Sequence, residues 1–267
     1  MRHPANLAFV VILGAVLPRP SVAHEVPDPT IVHKARDGVV RLYGAGGPDT
    51  ALKKVAAAFT SETGVKVEVL GGPEPTWTKK AQADADILWG TAEEDIAALL
   101  ETYSVFAGKD VMPIYIRPAV IAVKKGNPKG IHGFEDLLRD GTTIIVTEGA
   151  GVANTSGTGV WEDIAGRTGS LNDVKQFRRN IVGSGKGSGP SFRMFLEKDA
   201  DAWITWPDWT ITHADKADMV ELAEARRIWR DLNVVLAPDA DPEARQFLDF
   251  LTSAHGAEIM KTEGWVR

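Results

Sequence analysis

The polar residues best placed for chemistry lie in five short loops, each between an apolar, strand-like run and a helical pattern. These loops are residues 44–50, 71–76, 90–91, 149–158 and 183–191. Glycines and hydroxyl side chains are frequent in them, and a helix that starts in such a loop has free backbone N–H groups that can bind an anion. Each loop alone is also typical of an ordinary strand-to-helix connection. If the strands are parallel, the loops share one edge of a sheet, which favours a common binding site.

The fourth loop and a single arginine carry the most specific chemistry. The loop is longer than a strand-to-helix connection needs and offers consecutive neutral hydrogen-bonding side chains just before a helix. Arg117 stands next to a proline in an extended run, where its planar guanidinium could hold a carboxylate or oxyanion through two hydrogen bonds. An ion pair at the surface or between two lobes is the alternative interpretation of Arg117.

A tryptophan-rich segment supplies the last candidates. Trp206 ends a strand-like run that begins at Ala202. Asp208 follows it and could accept a hydrogen bond from a ligand or cap the next helix. The complete predicted ligand-binding set is Gly46, Gly47, Thr76, Trp77, Thr91, Arg117, Asn154, Thr155, Ser156, Thr158, Trp206 and Asp208.

Signatures of catalysis and of metal binding are incomplete. The glycines near residue 44 lack the third glycine of a dinucleotide-binding loop, and no serine lies in a Gly-x-Ser-x-Gly elbow. The chain has no cysteine, and its six histidines are scattered. We therefore predict no catalytic residue, no metal and no cofactor. The alternative is a secreted enzyme that uses Asp49, Glu74 and Asp208 for acid and base catalysis.

Charge and the first residues indicate the compartment. The 267 residues contain 30 Lys+Arg and 36 Asp+Glu, a formal net charge of −6, which argues against a nucleic-acid partner. The apolar run at 7–17 follows Arg2 and precedes Ser21-Val22-Ala23, the pattern of a signal peptide over residues 1–23. This run is too short to span a membrane. The sequence therefore predicts export to the periplasm.

Alternating strand and helix patterns predict two similar α/β units, each with a parallel sheet. Long extended runs at 114–123 and 228–237 join the units and predict a hinge with a cleft between two lobes. We expect lobe 1 at 24–116, with 238–267 returning to it, and lobe 2 at 117–237, including both crossing strands. Within lobe 2 we expect residues 183–189 to form a glycine loop.

Several motifs, in this order along the chain, resemble the accessory colonisation factor AcfC group. They are the segments 43–52, 86–90, 117–129, 154–163 and 201–209, supported by the Gly-Trp-Val-Arg at the C-terminus. That group is similar to the molybdate-type extracellular solute-binding proteins of ABC transporters, and the resemblance covers nearly all residues after 23.

The resemblance implies a type II periplasmic-binding fold, in which hinge closure clamps a ligand between two lobes. In the molybdate relatives, serine and threonine hydroxyls and backbone N–H groups bind the ligand. Here Gly46-Gly47-Pro48 stand where those relatives place a serine, and Arg117 would be unusual in a molybdate site. These departures favour a small carboxylate or sulfonate over molybdate.

The sequence thus predicts an exported, monomeric solute-binding protein that captures a small anion and passes it to a membrane permease of an ABC transporter. A colonisation or chemosensing protein, which binds in the same way but has a different downstream partner, is the alternative.

Overall fold

Two five-stranded sheets, each covered by helices, form the framework of the chain. The computed structural model describes residues 26–149 and 156–267. The predicted signal peptide at 1–23 and the predicted ligand-binding residues Asn154 and Thr155 lie outside the described residues.

The first lobe contains the early strands and helices and the C-terminal part of the chain. Its elements are β1 (Val39–Gly44), α1 (Asp49–Thr63), β2 (Lys66–Gly71), α2 (Thr78–Asp84), β3 (Ile87–Gly90), α3 (Glu93–Thr102), β4 (Met112–Pro118), β10 (Trp229–Leu236), α8 (Pro242–Leu251) and α9 (Ala254–Thr262). Its strand order is β2-β1-β3-β10-β4.

The second lobe contains the middle of the chain. Its elements are β5 (Val120–Lys124), β6 (Ile144–Glu148), α4 (Val160–Gly166), α5 (Leu171–Asn180), β7 (Ile181–Lys186), α6 (Ser188–Glu197), β8 (Ala202–Thr205), α7 (Pro207–Thr212) and β9 (Ala217–Glu221). Its strand order is β7-β6-β8-β5-β9.

Both sheets have the same topology, and both are mixed. Three neighbouring strands are parallel in each, while β10 and β5 are the antiparallel strands of the first and second sheets. Each antiparallel strand begins directly after a crossing between lobes, so the crossing reverses the direction of the chain. The predicted bilobed α/β fold is confirmed, but the expected all-parallel sheets are mixed for this reason.

Two short segments connect the lobes. The chain leaves the first sheet at Pro118 and enters the second at Val120, and it returns through residues 222–228. The two segments are tied together, since the backbone N–H of Ala119 donates to the carbonyl of Ile228 at 2.7 Å. Both β4 and β10 pair within the first sheet, whereas our expectation assigned all of 117–237 to the second lobe.

Local sequence explains α1, the helix that follows the first glycine loop. In α1, Leu52, Val55, Ala56 and Phe59 lie on one face at helical spacing and are buried against the first sheet. The helix ends at Gly64, whose φ of 75° is the left-handed conformation that glycine adopts without strain.

The glycine-rich segment 183–189, expected as a loop, is instead mostly strand β7. Its glycines allow a close approach of α6. A Cβ at Gly183 would lie 2.3 Å from the sulfur of Met194, and one at Gly185 would lie 2.5 Å from the backbone nitrogen of Ser191. Glycine is therefore required at both positions because α6 packs closely on β7. The local sequence pattern does not reveal this contact.

This packing predicts different effects for two glycines only four residues apart. Gly185→Ala pushes a methyl group into the backbone of α6 and should lower the free energy of unfolding by about 1–3 kcal/mol. Gly189 lies inside α6 with only ordinary contacts around a Cβ. Gly189→Ala should be neutral or stabilising by up to about 1 kcal/mol because alanine favours the helix. Urea unfolding measures both, and equal effects would contradict the packing described.

Candidate functional site

The carboxyl ends of the parallel strands in both lobes meet around Arg117. Since β10 is antiparallel to both β3 and β4, β4 runs in the same direction as β1 to β3. Its last residues therefore lie at the edge where the loops after β1, β2 and β3 begin. Arg117 reaches across this edge to Ser156 and Asp208 of the second lobe. The structure thus brings residues of both lobes together at the predicted edge.

Arg117 is held by an ion pair that joins the lobes. Its Nη1 donates to Oδ1 of Asp208 at 2.5 Å, and its Nη2 donates to the hydroxyl of Ser156 at 3.2 Å. Arg117 is only 2% exposed and Asp208 7%. The Nε of Arg117 has no hydrogen-bond partner among the described residues. The inter-lobe ion pair, which the sequence left open as an alternative, is present.

Two tryptophans enclose the guanidinium. Its carbon lies 4.7 Å from the ring centre of Trp206 in the second lobe and 4.4 Å from that of Trp265 in the first. Both distances are within the range of cation–π attraction. Each lobe therefore contributes one aromatic ring to the same buried cation.

Burial opposes the charge on both members of the pair. It raises the pKa of the Asp208 carboxyl and lowers the pKa of the Arg117 guanidinium, while the attraction between the two groups counteracts both shifts. Asp95 adds a further attraction for the Arg117 charge. The cation is therefore stable in its buried position only because its partner is present.

The first glycine loop borders this pair. Gly47 is half-buried, and a Cβ there would lie 2.8 Å from Nη1 of Arg117. Gly46 is exposed, and a Cβ there would lie 3.4 Å from the Cα of Gly72 in the neighbouring loop. The loops after β1 and β2 therefore meet beside Arg117.

Other predicted residues lie in structural roles at or near this edge. Trp77 is 2% exposed and stacks on Tyr103 with ring centres 5.8 Å apart, so its ring belongs to the core of the first lobe rather than to the cleft. Thr76 is exposed, and its hydroxyl donates to the carbonyl of Pro73 at 2.7 Å. Thr158 is half-buried.

Thr91 is also engaged within its own loop. Its backbone N–H and hydroxyl both donate to Oδ2 of Asp95, at 2.8 Å and 3.1 Å. Asp95 thereby holds the loop before α3 against the first turn of that helix. Its negative charge also favours the charged form of the Arg117 guanidinium.

Two of the three carboxylates of the alternative enzymatic interpretation, those of Asp49 and Asp208, are engaged in structural contacts. Asp49 accepts from the backbone N–H of Gly71 at 3.1 Å and pairs with Lys53 at 2.7 Å. Asp208 holds Arg117. Within residues 26–149 and 156–267, no group of three or more His, Asp or Glu is arranged to hold a metal ion, and no helix there is long and apolar enough to cross a membrane.

Trp265 contributes to the site but was absent from the predicted set, whereas the loop at 183–191 was predicted as an anion-binding helix start although none of its residues stands in that set. Trp265 had only the weak signal of a tryptophan close to the end of the chain. The start of α6 follows β7 at the same edge, has no side-chain cap and carries no acidic residue in its first turn. Its free N–H groups are therefore not neutralised locally, a feature visible in the sequence as Gly187-Ser188-Gly189.

Comparison with known proteins places this geometry in a family. The family model for bacterial extracellular solute-binding proteins matches residues 40–266. Peb3 from Campylobacter jejuni is 42% identical, with 85% of this chain and 99% of that chain covered and a TM-score of 0.80. A crystal structure of PEB3 with L-phospholactate bound gives a TM-score of 0.81 with the same identity and coverage.

More distant relatives agree on the fold. The periplasmic molybdate-binding protein of Azotobacter vinelandii is 15% identical, with 85% of this chain and 99% of that chain covered and a TM-score of 0.63. A sulfate-binding protein of Salmonella typhimurium is 27% identical over 166 residues, which are 54% of this chain and 49% of the relative. The chain thus matches about half the length of that curated protein.

These matches confirm the resemblance predicted from the sequence and the type II periplasmic-binding fold that it implies. The family and the structural neighbours are binding proteins rather than enzymes. Because the family model covers residues 40–266 and Peb3 shares 42% identity over nearly its whole length, the chain belongs to the family of bacterial extracellular solute-binding proteins.

Proposed function

We propose that this chain is a periplasmic, monomeric binding protein without catalytic activity that captures a small organic anion for an ABC permease. The ligand class is a compact acid that carries a carboxylate, a phosphate or both. The observation that carries the proposal is the buried Arg117 at the junction of the two lobes, beside loops rich in backbone N–H donors. The 42% identical PEB3 with L-phospholactate bound supports this ligand class.

The donors around Arg117 suit an anion. Asp208 and Ser156 use only one N–H from each terminal nitrogen of Arg117, and Nε has no partner among the described residues. At the corresponding edge of the second sheet, the start of α6 offers the backbone N–H groups of Ser188 and Gly189, with no acidic side chain in its first turn. Asn154 and Thr155 remain candidates on sequence grounds. Because Asp208 balances the charge of Arg117, neutral donors supply much of the recognition.

Export fits the same proposal. The signal-peptide pattern at 1–23 and the absence of cysteine from the whole chain agree with an oxidising compartment, since nothing in the chain can form a wrong disulfide. Delivery to an ABC permease is inferred from the family, whose members bind solutes outside the cytoplasm.

A ligand panel tests the proposal directly. L-phospholactate, L-lactate, inorganic phosphate and sulfate are compared with glycerol as a neutral control, by thermal unfolding and calorimetry. A ligand at 100 times its Kd should stabilise the chain by about 2.7 kcal/mol, which is roughly 5–10 °C for a chain of this size. We expect L-phospholactate to give the largest shift. A shift with glycerol but with none of the anions would reject an anion site.

A second prediction concerns the charge pair and separates folding from binding. Arg117→Met or Asp208→Leu alone leaves a buried charge without its partner and should lower the free energy of unfolding by about 3–5 kcal/mol. The double variant has no unpaired charge and should be far closer to the parent in stability. It should still bind L-phospholactate at least tenfold more weakly, a loss of about 1.4 kcal/mol.

The control is an exposed ion pair of similar length. Lys125 and Asp218 are 2.6 Å apart at the surface, and Lys125→Met should change the free energy of unfolding by less than about 1 kcal/mol. If the folded double variant binds L-phospholactate within twofold of the parent, Arg117 is not needed for recognition and the proposed site is wrong.

A further inference from the structure

The guanidinium of Arg117 lies in the space that a side chain at residue 47 would occupy. A Cβ at Gly47 would be 2.8 Å from Nη1, 2.9 Å from Nη2 and 3.2 Å from Cζ of Arg117. The two distances to the terminal nitrogens are shorter than Cβ contacts in proteins, and the distance to Cζ is tighter than most such contacts. Any residue larger than glycine at position 47 would therefore require the guanidinium of Arg117 to move.

The guanidinium of an exposed arginine can move at little cost in free energy, but that of Arg117 is enclosed. Asp208 and Ser156 fix the two terminal nitrogens through hydrogen bonds from the second lobe. The rings of Trp206 and Trp265 lie over the guanidinium at 4.7 Å and 4.4 Å. With 2% of Arg117 exposed, displacement of its charged end would break the ion pair or disturb a tryptophan.

Backbone conformation does not explain the glycine. Gly47 is absent from the glycines with positive φ, so an alanine could adopt its backbone angles without strain. Gly46 next to it also lacks a positive φ, but a Cβ there would have its nearest contact at 3.4 Å, with the Cα of Gly72. The two neighbours differ in exposure and in the space around a Cβ, which at Gly47 is occupied by the guanidinium of Arg117.

We infer that Gly47 is a positioning residue, which seats the Arg117 guanidinium where it bridges the two lobes and thereby sets the binding competence of the cleft. Gly47 acts through Arg117 and needs no contact of its own with the ligand. The effect on ligand affinity rests on the proposed function, whereas the coupling between Gly47 and Arg117 does not.

A double-mutant cycle on the whole chain without ligand tests the coupling. Gly47→Ala should lower the melting temperature by at least about 4 °C in the parent. In the background Arg117→Met with Asp208→Leu, which removes the cation and its partner, the same change should shift it by less than about 1 °C. Gly46→Ala is the matched control for stability and should cause no more than about 1 °C in either background.

The arginine itself provides a second readout. In ¹⁵N-labelled protein, the Nε–H resonance of Arg117 is identified by its loss in Arg117→Met. Enclosure should make the exchange of this proton with solvent slow in the parent and in Gly46→Ala. Gly47→Ala should shift the resonance and speed the exchange at least tenfold.

Ligand affinity is the third readout. Gly47→Ala should weaken L-phospholactate binding at least tenfold. Equal melting shifts for Gly47→Ala in both backgrounds, or an unmoved Arg117 resonance, would overturn the inference. Absence of L-phospholactate binding by the parent would instead reject the proposed function and leave the coupling result intact.

Discussion

A cation removed from water between two lobes is the interaction on which the rest of the site depends. Taking the guanidinium of Arg117 out of solvent is unfavourable unless its charge is balanced and its faces are packed. The second lobe supplies Asp208, Ser156 and Trp206, and the first supplies Trp265 and the open face of Gly47. Separating the lobes would therefore expose the charge of Arg117 to solvent or leave it without its partner Asp208. The pair thus couples the relative position of the lobes to the opening of the cleft.

The fold delivers these groups because it uses one topology twice. In each lobe three parallel strands end at the same edge, and a strand that follows a crossing completes the sheet in the opposite direction. Arg117 is at the end of β4, immediately before the chain crosses at Ala119, and the carbonyl of Ile228 holds the return crossing against it. A residue at this point belongs to the first sheet and yet faces the second lobe, which suits it for coupling binding to hinge movement.

Features set by residues close together in the sequence could be predicted from it, whereas features set by contacts between distant segments could not. The buried stripe and glycine stop of α1 follow from residue spacing. The common edge of the glycine loops follows from the parallel strands that the alternating strand and helix pattern predicts. The part of strand β7 from residue 183 to residue 186 was predicted as loop, because Gly183 and Gly185 make room for α6, a contact that no local pattern indicates. Arg117 was found as a candidate, but its partner Asp208 lies 91 residues away, and only the folded chain shows that the two meet.

Lobe separation, measured as the distance between spin labels, tests most directly whether the buried pair holds the lobes together. Because the chain has no cysteine, labels at Ser61→Cys on α1 and Lys175→Cys on α5, both exposed, report one inter-lobe distance without background. We predict that the ligand-free chain populates a short, narrow distance and that Asp208→Asn shifts the distribution to longer, broader values. If the ligand-free chain already shows the long distribution, unchanged by Asp208→Asn, the ion pair of Arg117 and Asp208 does not hold the lobes together.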